Sequence, residues 1–117
     1  MAYTYENIST TTVLRNKSDL YNNPIVTMNI CNTHSSDSTI SLYLKRTYGN
    51  AISGYEKEEE TRTTEIYYMI KNLVMPSGTT LQLSGNDIYI DYNNVIYDLY
   101  IEVDNTIDVT INSKKWH

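Results

Sequence analysis

The stretch Tyr97-Asp98-Leu99-Tyr100-Ile101-Glu102-Val103-Asp104-Asn105-Thr106-Ile107-Asp108-Val109-Thr110-Ile111-Asn112 decides the fold class. Tyr97, Leu99, Ile101 and Val103 alternate with Asp98, Tyr100 and Glu102, and Ile107, Val109 and Ile111 alternate with Asp108, Thr110 and Asn112. A period of two residues puts one set of side chains on a buried face and the other in water, as in a half-buried strand. Asp104-Asn105 between them suits a tight two-residue hairpin, since both residues tolerate positive φ.

Working outward, the same alternation recurs. Val26, Met28 and Ile30 oppose Thr27 and Asn29 in a strand over 25–31, and Ile40, Leu42 and Leu44 oppose Ser41, Tyr43 and Lys45 in the next. Shorter candidates are 10–15, 79–84 with Leu81 and Leu83 inward, and 87–91 with Ile88 and Ile90 inward. Ile66, Tyr68 and Ile70 carry the apolar phase until a slip near Lys71-Asn72 transfers it to Leu73 and Met75, which predicts a β-bulge. Tyr21-Asn22-Asn23-Pro24 and Pro76-Ser77-Gly78 read as turns. About eight short antiparallel strands at this spacing predict an all-β domain, an immunoglobulin-like or jelly-roll-type β-sandwich, with a closed barrel second. The 117 residues suffice for one such domain, with an N-terminal arm over 1–8 and an acidic loop excursion over 48–63.

Composition narrows the function. Nine basic against fourteen acidic residues give a net charge of −5, opposite in sign to a phosphate-binding surface, so nucleic acid is not an expected partner. No apolar stretch has the length of a membrane span, and no signal segment is evident at the N-terminus. The single cysteine, Cys31, forms no internal disulfide and is expected as a small buried hydrophobe. The two histidines, His34 in a polar turn and His117 at the end, offer no basis for a nucleophile–base pair or a transition-metal site. Carboxylates are the remaining chemical resource: Asp87, Asp91, Asp98, Glu102, Asp104 and Asp108 fall on polar phases, where solubility alone explains them. No enzyme, cofactor or metal is therefore expected. Twelve tyrosines without a phenylalanine suit half-wet contact surfaces.

The ordered set Ile30-Cys31-Asn32-Thr33, Thr39-Ile40-Ser41-Leu42-Tyr43-Leu44, Met75-Pro76-Ser77-Gly78-Thr79-Thr80-Leu81, Asp98-Leu99-Tyr100-Ile101 and Asp108-Val109-Thr110-Ile111 resembles the short immunoglobulin-like virion proteins of tailed bacteriophages, especially those of marine cyanobacteria. Tyr97 stands where that family has glycine, and the excursion over 48–63 is longer than its usual connection. The resemblance implies a non-catalytic virion structural protein, made in the host cytoplasm. It would decorate the capsid or form part of the neck, tail or baseplate. The implied partners are other virion proteins (major capsid, neck or tail subunits) or further copies of the chain. The residues expected at contacts are Tyr3 and Tyr5 in the arm, Tyr48, Tyr55, Glu56, Glu58, Glu59 and Glu60 in the excursion, and Trp116 near the C-terminus. The alternative is a carbohydrate- or receptor-binding module with Tyr43, Tyr89 and Tyr100 as a stacking platform.

Overall fold

The computed structural model describes residues 2–50, 61–88, 90–92 and 95–114. Eight strands form two four-stranded antiparallel sheets: β1 (Ala2–Ile8), β2 (Thr12–Arg15), β3 (Ile25–Cys31), β4 (Ser38–Asn50), β5 (Thr61–Met75), β6 (Thr80–Ser84), β7 (Asp98–Val103) and β8 (Ile107–Ser113). One sheet runs β1-β8-β3-β6 and the other β2-β7-β4-β5. β1 pairs with β8, β2 with β7, β3 with β6 and β4 with β5, the order of a long antiparallel ribbon folded in half and rolled into two layers. This is the jelly-roll connectivity. It is not the immunoglobulin order, in which the first two strands are sheet neighbours; here they lie in different sheets.

The inward phases read from the sequence fill the core. Met28, Ile30, Ile40, Leu42, Leu99, Ile101, Ile107 and Ile111 are fully buried between the layers. Burying each such side chain contributes about 1.5–3 kcal/mol.

Several local expectations are corrected. Residues 2–8 are an edge strand in full register with β8, from Ala2↔Ser113 to Ile8↔Ile107. Their inward phase is polar because the rim there is closed by Arg15, which bonds Thr4 Oγ1 and pairs with Glu6 at 3.3 Å. A six-residue helix, α1 (Lys17–Asn22), replaces part of the expected turn, capped by Asn16 Oδ1 accepting from Asp19 N and anchored by buried Leu20. The expected strand at 87–91 is a 3-10 turn over Gly85–Asp87, closed by the Ser84–Asp87 capping box, with Ile88 buried beyond it. Asp104-Asn105 joins strands of opposite sheets and so is not a hairpin turn. Cys31 is half-buried on the polar phase of β3.

At one end of the sandwich, loops are locked by polar side chains. Buried Asn32 donates from Nδ2 to the carbonyls of Ser36 and Met75 and accepts from His34 N. Asp104 accepts from Thr39 N, and Asn105 donates to the Asp37 carbonyl. The Pro76–Thr79 turn is closed by Thr79 N donating to Pro76 O, with Gly78 at φ 79°.

At the opposite end the β4–β5 ribbon outruns its sheet. β7 pairs with β4 only from Ile40 to Lys45, whereas the β4–β5 ladder continues to Asn50↔Thr61. The last five residues of β4 therefore project about 17 Å as a two-stranded arm. The radius of gyration is 16.3 Å, against about 13 Å for a compact domain of this length. The excursion expected over 48–63 thus begins and ends as regular strand; residues 51–60 lie outside the described residues.

Candidate contact surfaces on the arm and the outer sheet face

A two-stranded ribbon in water is marginally stable on its own, so the side chains at the root of the arm matter. Arg46 lies over the Tyr48 ring, 4.1 Å from its centre, and 5.5 Å from that of Tyr97. Its Nε donates to Glu65, which also accepts from the Tyr97 hydroxyl at 3.4 Å. That hydrogen bond raises the guanidinium pKa further, fixing its charge, while desolvation and then the Glu65 charge push the Tyr97 phenol up. Tyr67, opposite Leu44 in the register, sits edge-on to Tyr97 with ring centres 5.5 Å apart. Beside them is a mostly apolar cavity of about 260 Å³ lined by Leu44, Tyr67, Ile90, Asp91, Val95, Ile96 and Tyr97. Small-molecule sites usually occupy about 300–1,000 Å³, so this volume is closer to that of one large side chain. Tyr67 and Tyr97 line this pocket and Arg46 is held against Tyr97; tyrosine and arginine are the residue types enriched at protein–protein contacts.

The outer face of the same sheet carries a cross-strand row. The registers Val13↔Tyr100, Tyr43↔Tyr100 and Tyr43↔Tyr68 place these residues side by side. Tyr43 and Tyr100 are stacked at 5.4 Å, and Tyr43 and Tyr68 are tilted at 5.2 Å. Tyr43, expected on a wet face, is only 6 % exposed; burial and then the Glu102 charge push its phenol pKa up. Lys45 lies over Tyr100 and Lys71 over Tyr68. A sugar stacks on an open ring face, and here the faces of Tyr43 and Tyr100 are engaged by neighbouring rings or lysine. Tyr89 lies outside the described residues.

β5 is slipped twice, not once. Tyr43↔Tyr68 followed by Leu42↔Ile70 leaves Met69 extra, and Ile40↔Leu73 leaves a second extra residue at Lys71-Asn72, where Asn72 has φ 55°. The second slip is the expected bulge; Ser41 Oγ accepts from Asn72 N at 2.9 Å and holds it. The first turns Ile66 and Tyr68 outward, against the expectation that they were core.

Of the residues expected at contacts, Tyr48 is in the arm-root cluster, and Tyr3 and Tyr5 are strongly exposed on the outer phase of β1. Tyr55, Glu56, Glu58, Glu59, Glu60 and Trp116 lie outside the described residues. Arg46, Tyr67 and Tyr97 were not legible as a group, because only the long β4–β5 register and the 88–97 segment bring them together. Asp98 and Asp108 occupy outer faces of opposite sheets and do not converge on a cleft. Asp98 accepts from Lys17 N and Asp108 from Asn7 Nδ2. Among the described residues no group of three or more His, Cys, Asp or Glu side chains is placed to hold a metal ion. Among the described residues no helix is long and apolar enough to cross a membrane.

Compared with known protein families, curated proteins and solved structures, the chain matches none.

Proposed function

We propose that the chain is a non-catalytic structural subunit of a tailed-phage virion, attached to the capsid, neck, tail or baseplate by protein–protein contacts. The observation that carries this reading is the β4–β5 arm. It projects past its own sheet with Arg46 and Tyr48 at its root, and beside that root Tyr67 and Tyr97 line a mostly apolar pocket. A ribbon of this kind gains stability by lying against a neighbour, which would also seat a side chain in the pocket. The jelly-roll connectivity agrees with this reading, since capsid proteins use the fold, although lectins use it too. The tailed-phage setting itself rests on the sequence resemblance.

The mechanism is shape and repetition: many copies, each held modestly, add up to firm attachment on a symmetric shell or tube. Mass spectrometry of purified particles tests the reading directly. The chain is expected among their stoichiometric components, and the double substitution Arg46→Ala with Tyr67→Ala is expected to reduce its incorporation while leaving its circular dichroism unchanged. Particles lacking the wild-type chain would overturn the reading.

A further inference from the structure

The layer that does not carry the arm, β1-β8-β3-β6, turns an almost uncharged face to solvent. Its registers set that face out as three cross-strand rows, beginning at Tyr3, Tyr5 and Asn7 on β1 and ending at Ser84, Gln82 and Thr80 on β6. Between these ends stand asparagine and threonine from β8 and β3, with Cys31 and Asp108 side by side in the last row. Asp108 is the sole charged residue of the three rows, whereas the outer face of the other sheet carries Lys45, Asp98 and Glu102. Tyr3 is 57 % and Tyr5 75 % exposed. Unlike Tyr43 and Tyr100, neither ring meets another ring or a cation among the described residues. Two residues apart on one strand, they stand about 7 Å apart on the same face.

Beside Tyr5 the face is hollowed into an open depression of about 350 Å³ lined by Tyr5, Glu6, Asn7, Asp108, Val109 and Thr110, within the usual range for small-molecule sites. Glu6 and Val109 belong to the inward phase, and Glu6 is paired with Arg15. The side chains that face out are therefore the Tyr5 ring, the Thr110 hydroxyl and the Asn7–Asp108 pair. Asn7 Nδ2 donates to Asp108 Oδ1 at 2.7 Å, which fixes the carboxylate, and Oδ2 accepts no bond among the described residues.

We propose that this face binds a neutral oligosaccharide, with Tyr3 and Tyr5 stacking on successive sugar rings and Asp108, Asn7 and Thr110 bonding their hydroxyls. A pyranose offers C–H groups on its faces, which suit the negative face of an aromatic ring. Around its edge it offers hydroxyls that both donate and accept, which suit an amide, a carboxylate and a hydroxyl together. Other ligand classes fit less well. An apolar partner would leave the amides and hydroxyls of the rows without bonds. An anionic one would meet Asp108 with no lysine or arginine in the rows to offset it. For a cationic one, a single carboxylate already engaged on one oxygen is a weak lure. Because this face and the arm lie on different layers, saccharide binding and seating through the arm can fail separately.

Titration of the full-length chain with maltohexaose, cellohexaose and chitohexaose, followed by amide chemical shifts in NMR, tests this. At least one of the three is expected to shift the amides of Tyr3, Tyr5, Asp108 and Thr110 saturably at millimolar concentration. Tyr3→Ala with Tyr5→Ala is expected to weaken that binding by about tenfold or more, and Asp108→Asn by several-fold, with circular dichroism unchanged. Tyr21→Ala removes a comparably exposed tyrosine from α1 and is expected to leave the affinity as it is. Heparin, a sulfated chain, is expected to leave the same amides unmoved. Flat titrations with all three hexasaccharides, binding that survives the loss of both rings, or tighter binding of heparin would each overturn the assignment.

Discussion

Asn32→Ala is expected to destabilise the domain by about 3 kcal/mol. Asn32 is fully buried, and its side chain makes hydrogen bonds of 2.9 Å to Ser36 O, 2.8 Å to Met75 O and 2.9 Å from His34 N. Each such bond is worth about 0.5–1.5 kcal/mol net, and a buried group left without its partner costs about 1–3 kcal/mol. Truncation also opens a small cavity. The backbone bonds of Asn32 to Thr79 and Gly78 survive the change, which limits the damage to the side chain's share. For a domain of this size, 3 kcal/mol lowers Tm by about 12 °C. Urea unfolding followed by circular dichroism measures it, with an unchanged m-value showing that the unfolded reference is intact. Asn32→Asp keeps the acceptor but turns the donor towards two carbonyls into a second acceptor, so it is expected to be at least as destabilising at neutral pH. A loss below about 0.5 kcal/mol for both variants, typical of plain surface substitutions, would refute the assignment of Asn32 as the clamp of this end of the sandwich.

Gly78→Ala is expected to cost about 1–2 kcal/mol from φ 79° alone, since nothing crowds the added carbon. Gly85→Ala is expected to cost more, about 3 kcal/mol by chemical denaturation, because its Cβ would sit 2.7 Å from the Ile25 carbonyl oxygen, a backbone atom that yields poorly. Tyr43→Leu keeps an apolar side chain but deletes two ring contacts, and is expected to lose about 1–3 kcal/mol; no change would show that the row is ornamental. Asp87 accepts from Ser84 N and Oγ, and these bonds, the backbone one first, hold its pKa below the ordinary carboxylate value. A depressed folded-state pKa means that the contribution is complete above the unfolded value and is lost as pH falls through the folded one. Wild type and Asp87→Asn are therefore expected to differ at neutral pH and to converge in acid, as followed by denaturation across pH.

The sequence was most legible where alternation was clean and both neighbours were strands. The inward phases of β4, β7 and β8, and of β3 from Met28 on, follow directly from their apolar spacing; Val26 was expected inward as well, but a register shift between Ile25 and Thr27 buries Ile25 instead. Pairing was less legible, because Asp104-Asn105 can turn the chain equally well within a sheet or between sheets. β1 was missed because Thr4 and Glu6 occupy its inward phase, and what closes the rim is Arg15, an ion-pair partner rather than an apolar residue. α1 was missed because six residues with a single buried side chain show no helical period. At the candidate site, Tyr48 was legible as an aromatic in an otherwise polar excursion. Tyr67 was not, because Ile66 and Tyr68 took the apparent core phase until the slip at Met69 reversed it.

The account is tested most directly by a density map of the assembled particle at side-chain resolution. It predicts the jelly roll seated with the β4–β5 arm against a neighbouring subunit and a partner side chain in the pocket beside Tyr67 and Tyr97. A particle in which the chain is present but the arm and its root both face solvent would contradict it.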